Sequence, residues 1–343
     1  MAENIRLFKA VSAVLGAVAV FLFGLKLISV NIGKVVSGKF ATAVYKATLN
    51  RFSAFAIGTA VTSVAQSSVA VNAVLVALAE SGAISFSGAC AVVIGANVGT
   101  TVTAQLVSLS FGAFDVSAAG AIIGFFGLIL SLAKSKKVSF IGETAFGFGL
   151  VFMGISLMTS GISLFYGNET FRAFFLIKNP IVLVMNGFFI TAICQSSSVV
   201  SSMLVILSAG GLISFENSVF LILGANVGTT VSVIIISSDK SVYGRRVAFF
   251  NFLFNLFGTA LFFVVILISG GKLLEVFPFS SAESGRAVAN FHTFFNLLTG
   301  LITLPLLKPM AKLCAFLVAS DFKKRGFRHI FNKKRGGSLR LSN

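Results

Sequence analysis

Gln66-Ser67-Ser68 and Gln195-Ser196-Ser197 stand 129 residues apart in otherwise apolar sequence, and both are followed by one shared heptapeptide, Gly95-Ala96-Asn97-Val98-Gly99-Thr100-Thr101 and Gly224-Ala225-Asn226-Val227-Gly228-Thr229-Thr230. A carboxamide, two hydroxyls and, where a helix breaks, the free N–H groups that begin the next half-helix are anion-binding groups. The second element offers different chemistry. Glycine on both sides of Ala-Asn-Val lets the backbone leave helical geometry, and freed carbonyls beside Asn97 or Asn226 and paired threonines suit a hard cation such as Na⁺. The competing reading of Gly-x-x-x-Gly is close helix packing, with hydroxyls bonded to their own backbone. Laid over each other without a gap, residues 62–105 and 191–234 agree at 20 of 44 positions, clustered on Gln, Ser, Asn, Thr and Gly. Packing alone would preserve oiliness rather than these polar groups, so the duplication favours binding.

The elements that hold these groups are membrane helices. The chain is 56% hydrophobic and 11% charged, with 39 phenylalanines and no tryptophan, whereas a soluble domain is about 25% charged. Apolar runs of about 20 residues, enough to cross the hydrocarbon core, recur from Ala10 to Leu307. Crossings are predicted at 10–32, 86–110, 116–133, 140–166, 215–237, 247–270 and 287–307. The first run is too long for a signal-peptide core and lacks a small-residue cleavage site, so it reads as a retained helix. Two further pieces, 53–80 and 181–209, are broken midway by the Gln-Ser-Ser elements into halves too short to span, and read as re-entrant hairpins.

Charge orients this layout, because Lys and Arg accumulate in cytoplasmic loops. Lys34, Lys39, Lys46, Arg51, Lys134, Lys136, Lys137, Lys240, Arg245, Arg246 and everything basic from Lys308 onward fall on one face, 20 residues in all. Arg6, Lys9, Arg172, Lys178, Lys272 and Arg286 fall on the other, and the first two leave the side of the amino terminus open. The carboxyl terminus is expected in the cytoplasm and the protein in the cell (inner) membrane. The net charge of +17 then reflects topology. A tail running from Lys323 through Arg335 would attract lipid headgroups rather than nucleic acid.

Three crossings separate the hairpins, so the second copy lies upside down and the two tips can meet near the bilayer midplane. The expected fold class is an all-α membrane protein of two inverted-topology repeats, each with a re-entrant helical hairpin and a broken transmembrane helix. Repeat 1 covers 1–139, repeat 2 with an extra helix 140–307, and a basic cytoplasmic tail 308–343.

Missing groups narrow the chemistry. Acidic residues sit at predicted boundaries, among them Asp115, Glu169, Glu283 and Asp321, and Glu80, which ends the first hairpin, is matched by Ala209 in the second copy. A proton-coupled carrier needs a titratable group within the membrane. His292 is the single histidine in a crossing, in a pattern resembling that of Asn251 and Asn255, and reads as a structural, hydrogen-bonded residue. Sodium coupling therefore fits better than proton coupling. Lys26 is the one basic residue deep in a crossing; it either snorkels or faces a polar cavity. Cys90, Cys194 and Cys314 are too scattered for a disulfide framework or zinc site. No metalloprotease motif, aspartate pair or activated serine is visible, so no enzyme and no cofactor is expected. The absence of charge rings disfavours a channel, and a scaffold without turnover would not need the doubled polar groups.

The paired Gln-Ser-Ser and Gly-Ala-Asn-Val-Gly-Thr-Thr elements resemble the type II sodium-dependent phosphate cotransporter family over about residues 10–307. That resemblance implies sodium-driven carriage of inorganic phosphate, with phosphate contacts from Gln66, Ser67, Ser68, Gln195, Ser196 and Ser197, and Asn97 and Asn226 near them. It implies a sodium site drawing on Gln195, Ser196, Thr229 and Ser232. Another oxyanion, or phosphate moving outward, would keep the fold. The chain departs from the family pattern at Val69, where many relatives have a third serine while Ser198 completes the second motif, and at Asn251, in place of a usual histidine. Phe291-His292-Thr293-Phe294-Phe295-Asn296 matches the family's His-x-x-x-Asn helix. Many bacterial relatives add a soluble helical domain of the phosphate-uptake regulator type; only a basic tail is read here after the membrane part, so regulation through such a domain is not expected.

Overall fold

The computed structural model describes residues 2–109, 116–165, 177–275 and 284–318. Asp115, Glu169, Arg172, Glu283, Asp321 and the tail beyond 318 lie outside the described residues. The described chain is helical and holds no strand: α1 (Ala2–Ala47), α2 (Arg51–Ala65), α3 (Ser68–Glu80), α4 (Phe86–Leu109), α5 (Val116–Ser131), α6 (Lys136–Ser163), α7 (Pro180–Cys194), α8 (Ser197–Ala209), α9 (Phe215–Ser237), α10 (Val242–Ile268), α11 (Lys272–Glu275), α12 (Ser284–Thr303) and α13 (Leu307–Leu317).

Five helices are long and apolar enough to cross a membrane, or six if α12 and α13, bent by 86° at their junction, count as one span. Seven crossings were expected. α5 is not among the five because its described part has 16 residues; residues 110–115 just before it lie outside the described residues, so the count does not remove it as a crossing. Exposed side chains along α5 and α7, among them Phe125, Phe126, Ile181 and Phe189, form apolar outer faces suited to lipid. This is an all-helical, multi-pass membrane protein of two repeats.

The 129-residue offset reaches down to the caps. Asn50 Oδ1 accepts the Phe52 N–H at the start of α2 (2.8 Å), and Asn179 Oδ1 accepts the Ile181 N–H at the start of α7 (3.0 Å), where Pro180 leads the helix. Ser85 Oγ accepts from Gly88 N–H and Ser214 Oγ from Asn217 N–H, both at 3.1 Å, ahead of α4 and α9. Gly82 and Gly211 turn the chain between them at φ +73° and +68°, a region that other residues enter only at a cost.

The glycines of the second element do not open the helix. α4 and α9 run unbroken through Gly95–Thr101 and Gly224–Thr230, which corrects the expected broken transmembrane helix. The reason is packing. A Cβ on Gly95 would lie 2.0 Å from Phe55 O, and one on Gly224 1.9 Å from Val184 O. A Cβ on Gly99 would lie 2.5 Å from Thr59 O and one on Gly228 2.4 Å from Phe188 O, so these residues let α4 press onto α2 and α9 onto α7. The adjoining threonines bond back to their own helices: Thr101 Oγ1 to Val98 O (2.8 Å) and Thr230 Oγ1 to Val227 O (2.7 Å). Carbonyls of this element are therefore engaged in helix bonds rather than freed for a cation.

Two apolar cores form, and each draws on both repeats. Leu75, Val76, Ile94, Phe250 and Phe254 join α3, α4 and α10, while Val205, Ile206, Leu223, Phe291 and Phe295 join α8, α9 and α12. α1 lies along α6 through Phe21, Ile28, Ile155 and Met158. Residues 308–317, placed by the sequence at the start of a basic cytoplasmic tail, are helical: α13 (Leu307–Leu317) buries Leu307, Ala311 and Cys314. Arg246 holds its end, with Nε donating to Val318 O (3.1 Å) and Nη2 to Ala315 O (3.2 Å). A cation at a helix C-terminus satisfies the last carbonyls.

Candidate functional site

Both hairpins break at the same atom of the pattern. Gln66 and Gln195 cap α2 and α7 in the left-handed region, at φ 54° and 56°, and are the only non-glycine residues among those described with positive φ. Their N–H groups bond Thr62 O (2.8 Å) and Thr191 O (2.7 Å). This conformation costs a residue with a Cβ about 1 kcal/mol, and the cost recurs at both tips. The next residue, Ser67 or Ser196, is extended at φ −149° and starts the second half-helix. Two residues thus interrupt the helix and set the N-termini of α3 and α8 at the tips; at the first, Ser67 Oγ takes the Ala70 N–H.

The two tips line one cavity of about 250 Å³, walled by Gln66, Ser67, Ser68 and Val69 from the first repeat and Gln195, Ser196, Ser197, Ser198 and Thr229 from the second. α1 closes the remaining side with Leu22, Leu25, Lys26 and Val30. All six predicted Gln-Ser-Ser residues are therefore brought together. Their hydroxyls and carboxamides, with two helix N-termini, can bind an anion without a metal.

Asn97 and Asn226 do not line the cavity. Asn97 Nδ2 donates to Asn251 Oδ1 (3.0 Å) and its Oδ1 accepts from Asn255 Nδ2 (3.1 Å), tying α4 to α10. Asn226 Oδ1 accepts from Asn296 Nδ2 (3.4 Å), tying α9 to α12. The physical reason is the unbroken helix: both asparagines point sideways into neighbouring helices and also bond back to the carbonyl four residues earlier. Both tie neighbouring helices together. His292, expected to be hydrogen-bonded, is buried with neither ring nitrogen partnered among the described residues.

The tips differ in what their side chains do. Gln66 is 5% exposed; its Oε1 accepts from Thr103 Oγ1 and its Nε2 donates to Ser63 O. Ser67 Oγ accepts the Ala70 N–H (3.2 Å). In the second tip Gln195 is exposed and Ser196 makes no capping bond. Ser232, 129 residues after Thr103, is buried with its Oγ unpartnered. Of the residues implied as a sodium site, Gln195, Ser196 and Thr229 line the cavity, and Ser232 lies one turn beyond Thr229 on α9. All four are neutral oxygen donors; Ser232 itself is not in the cavity lining and is one of several buried side chains with an unpartnered polar atom among the described residues.

Sequence reasoning did not place Leu22, Leu25 and Val30 in the wall. Their signal was Lys26, a lone charge on an apolar helix.

Fold and site together define a repeat-built, multi-pass helical membrane protein with one polar cavity at twin hairpin tips. The chain matches the Na⁺/Pi-cotransporter family over residues 20–160 and again over 156–301, and it belongs to that family. It is 27% identical over 310 residues to the "Putative inorganic phosphate export protein YjbB" of Escherichia coli (strain K12), covering 90% of this chain and 55% of the relative. It is 24% identical over 309 residues to the "Uncharacterized protein YqeW" of Bacillus subtilis (strain 168), covering 87% and 95%. A shorter stretch of 86 residues is 35% identical to the human "Sodium-dependent phosphate transport protein 2C", covering 24% and 14%. The chain thus spans little more than half the length of the YjbB proteins. No solved structure matches it.

Proposed function

We propose that this protein is a sodium-coupled secondary carrier of inorganic phosphate in the cell membrane, with its carboxyl terminus in the cytoplasm. The observation that carries the reading is the single cavity shared by both hairpin tips. Phosphate is held there by Gln66, Ser67, Ser68, Gln195, Ser196 and Ser197 and by the N-termini of α3 and α8. Sodium is held by Gln195, Ser196, Thr229 and Ser232. Asn97 and Asn226 support the site from behind, through α10 and α12. Because Gln195 and Ser196 serve both ligands, each ion lowers the cost of burying the other, and that coupling free energy is reciprocal. The three crossings between the hairpins make the repeats inverted and the hairpins re-entrant from opposite faces, so exchange of the two conformations opens the cavity to each side in turn. Membership of the Na⁺/Pi-cotransporter family supports both ions.

In proteoliposomes, uptake of radiolabelled phosphate requires an inward sodium gradient. Equal uptake with potassium on both sides rejects sodium coupling. Phosphate, but not sulfate, raises the melting temperature of the purified protein when sodium is present; equal stabilisation by sulfate makes it a carrier of another oxyanion. The name of the E. coli relative favours a second reading, in which the same site runs outward. Sodium-dependent efflux from phosphate-loaded vesicles of known protein orientation tests it.

A further inference from the structure

We infer that Lys26 is a fixed countercharge of the anion site, standing in for one cation that the cargo would otherwise have to bring. This deepens the proposed phosphate reading and rests on it. α1 carries two faces. Phe21 and Ile28 are fully buried and Gly24 lies against the backbone of α6, where a Cβ would come 2.7 Å from Gly147 O. Leu22, Leu25, Lys26 and Val30, spaced as one helical stripe, face the hairpin tips instead. A lysine near the end of a span ordinarily snorkels to the headgroups. This one lines the cavity with Ser67, Ser68, Ser196 and Ser197, and its side chain is exposed.

Two features single it out. Among the described residues, Lys26 is the sole charged residue in the cavity wall, which contains no Asp or Glu. It also breaks the pseudo-symmetry of the site: the corresponding stretch of α6 has Ser156 close to the equivalent place, and α6 contributes no residue to the wall. All other groups at the tips are neutral donors, so a dianion entering alone would be compensated only by helix ends and co-bound cations. One ammonium placed permanently on the wall removes one unit of that deficit. It remains with the protein through the cycle, so it lowers the number of positive charges that must move with each anion.

The test uses Lys26→Met, which keeps an unbranched stem, and Lys26→Arg, which keeps the charge, in proteoliposomes with radiolabelled inorganic phosphate under a clamped membrane potential. Lys26→Met raises the KM for phosphate about 30-fold, equivalent to about 2 kcal/mol, and increases the net positive charge moved per phosphate by one. That added charge arrives either as one more sodium or as phosphate entering with one more proton. Lys26→Arg stays within about threefold of the parent protein, at the parent charge ratio. A parent-like KM in Lys26→Met, or a raised KM with unchanged charge per phosphate, overturns the inference and leaves the phosphate reading standing. If the parent protein itself carries no phosphate, the site reading falls and the inference with it. Lys26→Gln, read in the same way, replaces the methionine variant if that one does not accumulate.

Discussion

The two hairpin tips share backbone dihedrals to within a few degrees and one Gln-Ser-Ser sequence, yet their side chains are spent differently. In the first, Gln66 is folded inward against Thr103 and Ser63, and Ser67 caps α3. In the second, Gln195 is exposed, Ser196 caps nothing, and Ser232 waits without a partner. Satisfied polar groups rigidify a site, while unsatisfied buried ones are held at a cost of about 1–3 kcal/mol each unless a ligand engages them. The side chains of the first tip are thus engaged within the protein and those of the second repeat less so, the difference expected if the sodium we propose binds beside the second tip.

Substitutions can break this comparison in order of effect. Gly95→Ala and Gly224→Ala test where the halves are alike: each drives a Cβ to about 2 Å from a backbone carbonyl, so each costs about 3 kcal/mol or more and both variants fail to accumulate in the membrane. Survival of one and not the other would show that the helix pairs are not equivalent. Ser196→Ala abolishes phosphate uptake with little change in melting temperature, since it removes no cap. Ser67→Ala instead loses about 1 kcal/mol of stability with its cap and retains part of the uptake. Equal melting temperatures for the two would erase the distinction between tips.

Smaller effects sharpen it. Gln66→Ala orphans the Thr103 hydroxyl and destabilises by about 1–3 kcal/mol, seen as a lower melting temperature at any sodium concentration. Gln195→Ala changes sodium-free stability by no more than about 0.5 kcal/mol but weakens the sodium dependence of uptake. Ser232→Ala is the mildest: it leaves sodium-free melting unchanged or slightly raised, because an unpartnered hydroxyl is removed, and abolishes the stabilisation that sodium adds. Retained sodium stabilisation in Ser232→Ala would place the cation elsewhere.

Much of this was legible in the sequence because it is local. The break at Gln-Ser-Ser appears where polar residues interrupt an apolar run, and the 129-residue repeat carried over to Asn50 and Asn179, Ser85 and Ser214, and Gly82 and Gly211 without a shift. The heptapeptide was less legible. Glycine both permits an open backbone and admits a neighbouring helix, and only the presence of Phe55 O and Val184 O beside Gly95 and Gly224 decides between these uses. For the same reason Asn97 and Asn226 looked like ligands until α10 and α12 supplied their partners.

By itself, then, the sequence determined a membrane chain, its duplication and the sites where its helices must break, since hydropathy, repeat spacing and the strain at a glutamine cap act over a few residues. Tertiary structure alone decided that both tips share one cavity with Lys26 on its wall, that the asparagines turn away from it, and that Gln66 is closed while Gln195 is open. Those outcomes depend on which helix lies alongside which, across separations of tens to hundreds of residues, and no local pattern encodes the neighbour that will satisfy a buried polar group.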